Sequence, residues 1–180
     1  MGNISKEGKE NKTPVINEKS KKIEIIKCIN FICIILWMIL VFIFSNEGGV
    51  DSSGTSGNTI RQILILFKKD WDLVQLENTI EMLQPFVRKL AHFTLYAVGG
   101  FLIYNLNSKS EKIKKLEQRY SYINKYTITI IFGIFYAITD EIHQIFIPGR
   151  DGRVFDVCVD TLGVIFGLEI CRFLKKIKKK

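Results

Sequence analysis

Arg88, Lys89 and His92, then Asp140, Glu141 and Gln144, then Arg150, Asp156 and Asp160 lie in or beside long apolar stretches of the chain. An ionisable side chain in such a setting is costly and needs a partner or a task. The planar fork of an arginine suits a carboxylate or a phosphate in bidentate fashion. Neighbouring carboxylates cannot all stay charged in a low dielectric, which makes one of them a candidate acid or base, and an imidazole can take the same part. The candidates for acid–base chemistry are therefore His92, Asp140, Glu141, Asp156 and Asp160, and those for holding an anionic ligand are Arg88, Lys89, His92, Tyr96, Gln144 and Arg150.

Familiar catalytic patterns are missing around these residues. Glu141 precedes His143 by two positions and the other histidine is remote, so the zinc-protease pattern His-Glu-x-x-His is absent. No serine sits beside a histidine as a nucleophile would. His92, Asp140, Glu141 and Asp156 are conceivable ligands of Mg, Mn or Ca, yet their spacing is not diagnostic, and neither a metal nor another cofactor is expected. Cys28, Cys33, Cys158 and Cys171 form no Cys-x-x-Cys pair and read as small packing residues.

The elements that must position this set are apolar helices. The chain has 180 residues, 47% of them hydrophobic, and a net charge of +8 concentrated in tails and loops. Four segments approach the roughly 20 apolar residues needed to cross a bilayer: Ile23 to Ser45, Phe86 to Leu106, Tyr126 to Ile147 and Val154 to Leu174. The expectation is an all-α, polytopic membrane bundle of four transmembrane helices, with amphipathic helices in the first outer loop. The first segment is longer than a signal-peptide core and lacks a small-x-small cleavage site, so it should remain as an anchor. Lys6 stands where a myristoylation signal wants Ser or Thr, so no lipidation is expected.

Lysine and arginine are retained in cytoplasmic loops. The tail 1–22, the loop holding Lys109 to Lys125 and the tail 175–180 are rich in lysine, whereas the loop from Asn46 to Gln84 is acidic. Both termini are thus expected in the cytoplasm, flanking a membrane domain over residues 23–174. In that topology the charged ends of the second, third and fourth spans meet at the outer face, and a one-sided pocket argues against a transporter.

Residues three, four and seven apart share a helix face. Arg88, His92, Tyr96 and Gly99 align on the second span, Gly133, Ala137, Asp140 and Gln144 on the third, and Asp156, Asp160, Gly163 and Gly167 on the fourth. Each stripe is polar outside and small further in, and small residues let helices approach closely in lipid. His143 falls on another azimuth and is expected at a lipid-facing or interfacial position. The stretch from Ile147 to Arg153 has the Pro-Gly and Asp-Gly dipeptides of tight turns. In the first outer loop the Gly/Ser-rich run from Gly48 to Gly57 cannot pack by itself. Beyond it Ile60, Ile63, Leu64 and Phe67, then Leu73, Leu76, Ile80 and Leu83, form amphipathic helices along the surface, and Pro85 should open the second span.

Taken in order, Phe44-Ser45-Asn46, Arg88-Lys89-Leu90-Ala91-His92-Phe93-Thr94-Leu95-Tyr96, Asp140-Glu141-Ile142-His143-Gln144, Pro148-Gly149-Arg150, Asp156-Val157 and Asp160-Thr161-Leu162-Gly163 resemble the VanZ-like family of bacterial membrane proteins. The resemblance runs from about Trp37 to Gly167. It implies a multi-pass protein of the cell membrane acting at the cell envelope, in a family named for a member associated with resistance to the glycopeptide teicoplanin. It implies no particular reaction.

Three readings of the charged set follow. In the first it recognises an anionic head group, of a membrane lipid or of a lipid-linked cell-wall precursor. In the second it is a membrane-embedded hydrolase or transferase acting on such a substrate. In the third Arg88, Asp140, Arg150, Asp156 and Asp160 form an ion-pair network that fixes helix register. The basic tails suit anionic lipid head groups rather than nucleic acid.

Overall fold

A computed structural model describes residues 18–46, 49–67 and 70–178. Most of the basic tail 1–22, together with Glu47, Lys68, Lys69, Lys179 and Lys180, lies outside the described residues. Among those residues the fold is entirely helical: α1 (Glu18–Asn46), α2 (Gly49–Phe67), α3 (Leu73–Asn107), α4 (Glu111–Arg119), α5 (Lys125–Gln144) and α6 (Val154–Ile177). By length and composition two of them can cross a membrane, over Lys21–Asn46 and Leu73–Asn107. The apolar runs of α5 and α6 are interrupted by Asp140, Glu141, Asp156, Asp160 and Glu169.

α3 is the central element and packs against α1, α2, α5 and α6. Its closest partner is α6, and glycine makes that approach possible. A Cβ at Gly167 would stand 1.7 Å from the Ala97 carbonyl oxygen, one at Gly163 2.4 Å from that of Phe93, and one at Gly100 2.2 Å from that of Val164. Backbone therefore lies on backbone along the α3–α6 crossing, as small-residue interfaces permit. Gly133 admits the Val164 side chain to α5, and Gly99 admits the Trp37 ring from α1.

The deep core gathers Ile34, Trp37, Val41, Tyr96, Ile103, Ala137 and Val164. Two of its polar side-chain atoms are tied to backbone across helices. Trp37 Nε1 donates to the Leu95 carbonyl at 2.8 Å, and the Tyr136 hydroxyl donates to that of Met38 at 2.8 Å. At the opposite end from the charged set, Asn107 Nδ2 donates to Thr129 Oγ1 at 3.0 Å, and Lys175 donates to Ser108. Asn124 caps α5, its side chain accepting from the backbone N–H groups of Tyr126 and Thr127.

Two features of the first loop differ from expectation. Pro85 lies inside α3 instead of opening it. Proline removes one helical hydrogen bond and crowds the preceding turn, but the segment before it is held by a small core of its own: Ile60, Leu76 and Ile80, with Leu64, Trp71, Leu83 and Val87 packed around them. That burial, the Trp71 Nε1 bond to the Leu64 carbonyl at 3.2 Å and the Arg61–Glu77 ion pair carry the helix through the proline. The Gly/Ser-rich run is the second difference: from Gly49 it belongs to α2, and Gly57 lets that helix close on Ile80 and Gln84. α2 and the first turns of α3 thus form a helical hairpin beside the charged ends.

Candidate functional site

The site is assembled from one end of the bundle. α3 supplies Arg88, Lys89 and His92 one turn apart, the last turn of α5 supplies Asp140, Glu141 and Gln144, and the first two turns of α6 supply Asp156 and Asp160. The connection between α5 and α6 adds Arg150. Its reversal rests on Gly149, whose φ of 76° suits glycine, and on Gly152, where a Cβ would stand 2.6 Å from the Glu141 carbonyl oxygen.

These groups enclose a polar cavity of about 70 Å³, lined by Arg88, Lys89, His92, Glu141, Gln144, Arg150, Asp156 and Asp160 among others. Its walls are partly locked by specific pairs. Lys89 forms an ion pair with Asp156 and lies over the Phe155 ring. Glu141 Oε2 accepts from the backbone N–H of Arg153 at 2.7 Å, and Gln144 Nε2 donates to Asp140 Oδ2 at 3.1 Å. Asp140, Glu141, Gln144 and Asp160 are all buried.

A second cavity, apolar and about 560 Å³, opens beside the first. Phe44, Val87, Leu90 and Leu95 supply much of its wall, and Arg88, His92 and Arg150 line both spaces. Arg88 and Arg150 therefore stand on the boundary between a polar chamber and a greasy one.

Of the residues singled out from sequence, Arg88, Lys89, His92, Glu141, Gln144, Arg150, Asp156 and Asp160 meet at one cavity. Asp140 sits against it through Gln144, and one donor atom each of His92, Asp140 and Asp160 lies within 4.8 Å of the others. Tyr96 is placed elsewhere: fully buried beneath the cavity, it meets the Trp37 ring edge-on at 5.8 Å. Asp156 is paired with Lys89, a residue outside the expected arginine–carboxylate network. His143 stays outside the cavity and stacks on Phe42 of α1 at 4.8 Å.

Sequence reasoning about the charged set overlooked the end of α1. Arg150 donates to the Phe44 carbonyl at 3.1 Å, Phe44 lines the apolar cavity, and the neighbouring Ser45 is fully buried. The run Phe44-Ser45-Asn46 was the available signal.

The arrangement places the Arg88 and Arg150 side chains on the wall of the polar cavity, and sets His92 Nδ1 3.8 Å from Asp160 Oδ1. Comparison with known proteins adds one finding. A family model described as VanZ/LLP1 matches residues 30–175. No curated protein and no solved structure matches the chain significantly.

Proposed function

The chain belongs to the VanZ/LLP1 family, and from that premise we propose that it is a multi-pass protein of the cell membrane that binds an anionic amphiphile at its charged end. The observation that carries this reading is the pair of adjoining cavities sharing Arg88, His92 and Arg150. A molecule with a phosphate-like head and a long apolar tail fits both: the head meets the arginines, and the tail lies along Phe44, Leu90 and Leu95. Membrane lipids and lipid-linked cell-wall precursors have that chemistry. Altered access to such a precursor is a route by which this protein would change sensitivity to teicoplanin, the link that the family resemblance supplies.

The reading uses four membrane spans, α1, α3 from Pro85 onward, α5 and α6, with both termini in the cytoplasm. Residues 23–174 are the membrane domain, between basic tails 1–22 and 175–180. In its support, α5 and α6 turn Ile131, Phe135, Phe166 and Phe173 outward, all exposed, as α1 does with Phe31, Ile32, Leu36 and Phe42. So much exposed apolar surface on all sides calls for a lipid solvent. Lysine-rich segments at the far end from the cavity favour that end as cytoplasmic.

Expression of the wild type and of Arg150→Gln in one susceptible host, with teicoplanin and vancomycin susceptibility read beside the amount of protein in the membrane, tests this function. The expected result is equal accumulation and loss of any teicoplanin protection in the variant. Protection undiminished by Arg150→Gln would count against the amphiphile reading.

One observation favours a second reading. The half-buried His92 and the buried Asp160 stand side by side on the polar chamber. A hydrolase or transferase using carboxylate and histidine acid–base chemistry on the same head group would be built this way. Comparing lipid-linked precursors with and without the protein separates the two: conversion changes the lipid profile and binding leaves it as it was.

A further inference from the structure

Where α3, α5 and α6 converge, buried polar atoms gather that find no partner among the described residues. The Asp160 side chain is 1% exposed, and neither of its carboxylate oxygens has a hydrogen-bond partner among the described residues. His92 Nδ1 stands 3.8 Å from Oδ1, beyond hydrogen-bond range. One turn deeper on α3, the buried Tyr96 hydroxyl likewise has no partner among the described residues. Groups of this kind are rare in native interiors because each costs its desolvation without return.

We propose that His92, Asp140 and Asp160 are the ligands of a divalent transition-metal cation. The three offer one donor atom each, and these atoms all lie within 4.8 Å of one another. Ligands about 2.1 Å from a shared ion stand roughly 3 Å apart when adjacent and about 4.2 Å when opposite, so a small inward movement of the side chains completes the set. All three can act as acceptors, with His92 offering its Nδ1 lone pair. A water molecule has only two hydrogens to give, whereas a cation satisfies every acceptor at once. Gln144, donating to Asp140 Oδ2 at 3.1 Å, orients that carboxylate as outer-shell groups do around metals.

The charges around the site are consistent with this. Two carboxylates balance a divalent ion, and the neighbouring Lys89 is matched by Asp156. One imidazole with two carboxylates is a donor set that suits Mn²⁺, Fe²⁺ or Zn²⁺ better than Ca²⁺. His92 and Asp160 both line the polar cavity, so the ion's remaining coordination positions face it.

The inference does not rest on the amphiphile reading, because it is tested with the metal alone. Full-length protein in detergent, stripped with chelator and dialysed, is titrated with Mn²⁺ while the signal of free aqueous Mn²⁺ is followed by electron paramagnetic resonance. Zn²⁺ is titrated in parallel with Tm as the readout. The expected result is saturable binding of a single Mn²⁺ per chain, a Zn²⁺-dependent rise in Tm, and affinity lowered by about tenfold or more in Asp160→Asn and in His92→Gln. Glu111→Gln, on exposed α4, should bind as the wild type does. Asp160→Asn removes a buried carboxylate that has no donor, so it should fold with a metal-free Tm no lower than the wild type; if it does not fold, His92→Gln decides. Absence of saturable binding of either ion up to about 1 mM, the weak end of protein–metal affinities, overturns the proposal, as does undiminished binding in the variants. Either result leaves the amphiphile reading standing.

Discussion

At the residue scale, the charged set is held by a few specific contacts. The Lys89–Asp156 pair is partly buried, with side chains 31% and 23% exposed, so its partners are shielded from water without being sealed from it. A double-mutant cycle with Lys89→Met and Asp156→Asn, read by chemical unfolding in detergent, should give a coupling of about 1 kcal/mol, the scale of charged neighbours in direct contact. A coupling near zero would show that Lys89 does not hold Asp156. Trp37 is a second anchor: its indole N–H reaches the Leu95 carbonyl across α1 and α3, and Trp37→Phe should cost about 1 kcal/mol for that bond plus a packing loss. Unchanged stability in Trp37→Phe would remove α1 from its place against α3. Helical spacing alone brought Arg88 and His92 to one face, and likewise Asp156 and Asp160. It could not decide whether Asp140 or its neighbour Glu141 stands nearest the imidazole, because adjacent residues differ by only about 100° of azimuth and the choice depends on how α5 rotates against α6. Nor could it find the Arg150 contact to Phe44, which is made to a backbone oxygen more than 100 positions away.

At the element scale, α3 decides the architecture. Its 35 residues extend about 52 Å at 1.5 Å per residue, well beyond the roughly 30 Å of a hydrocarbon layer, and the surplus forms the hairpin with α2. Pro85 marks the division. In sequence a proline after an amphipathic stretch reads as a helix start, and only the packing of Leu76 and Ile80 against Ile60 reveals continuity. Pro85→Ala restores the missing backbone bond and should stabilise the fold by up to about 3 kcal/mol, read as a rise in Tm; a fall would mean that the fold needs proline at this position. The α3–α6 crossing was better marked, because Gly163 and Gly167 recur at the spacing of tight helix pairs. Gly167→Leu forces side-chain atoms into the Ala97 backbone and should cost about 3 kcal/mol or prevent accumulation altogether. Normal stability in that variant would refute the close crossing.

At the scale of the whole molecule, both cavities and the carboxylate–arginine set lie at one end. The ends of α1 and α5, the starts of α6 and of the span within α3, and the hairpin all border the same two cavities, while the lysines of α4 and of the last turn of α6 lie toward the other. All-helical character and the gathering of the charged residues at one end were legible from apolar periodicity and helical spacing. The loop helices were legible only as amphipathic segments, since their partner is each other. Orientation is checked with impermeant thiol reagent on whole cells, in a background with the four native cysteines replaced by Ala. Asn58→Cys should label from outside and Ser121→Cys only after permeabilisation. The reverse pattern would put the cavity in the cytoplasm.

The central claim is that one ligand uses both chambers. Binding of a polyprenyl phosphate, the matching polyprenyl alcohol and inorganic phosphate to the purified full chain in nanodiscs tests it most directly. The structure predicts that the phosphate ester binds at least about tenfold more tightly than either half, a difference of about 1.4 kcal/mol, and that Arg150→Gln removes this advantage. Equal affinity for ester and alcohol, or an ester advantage that survives Arg150→Gln, would contradict it.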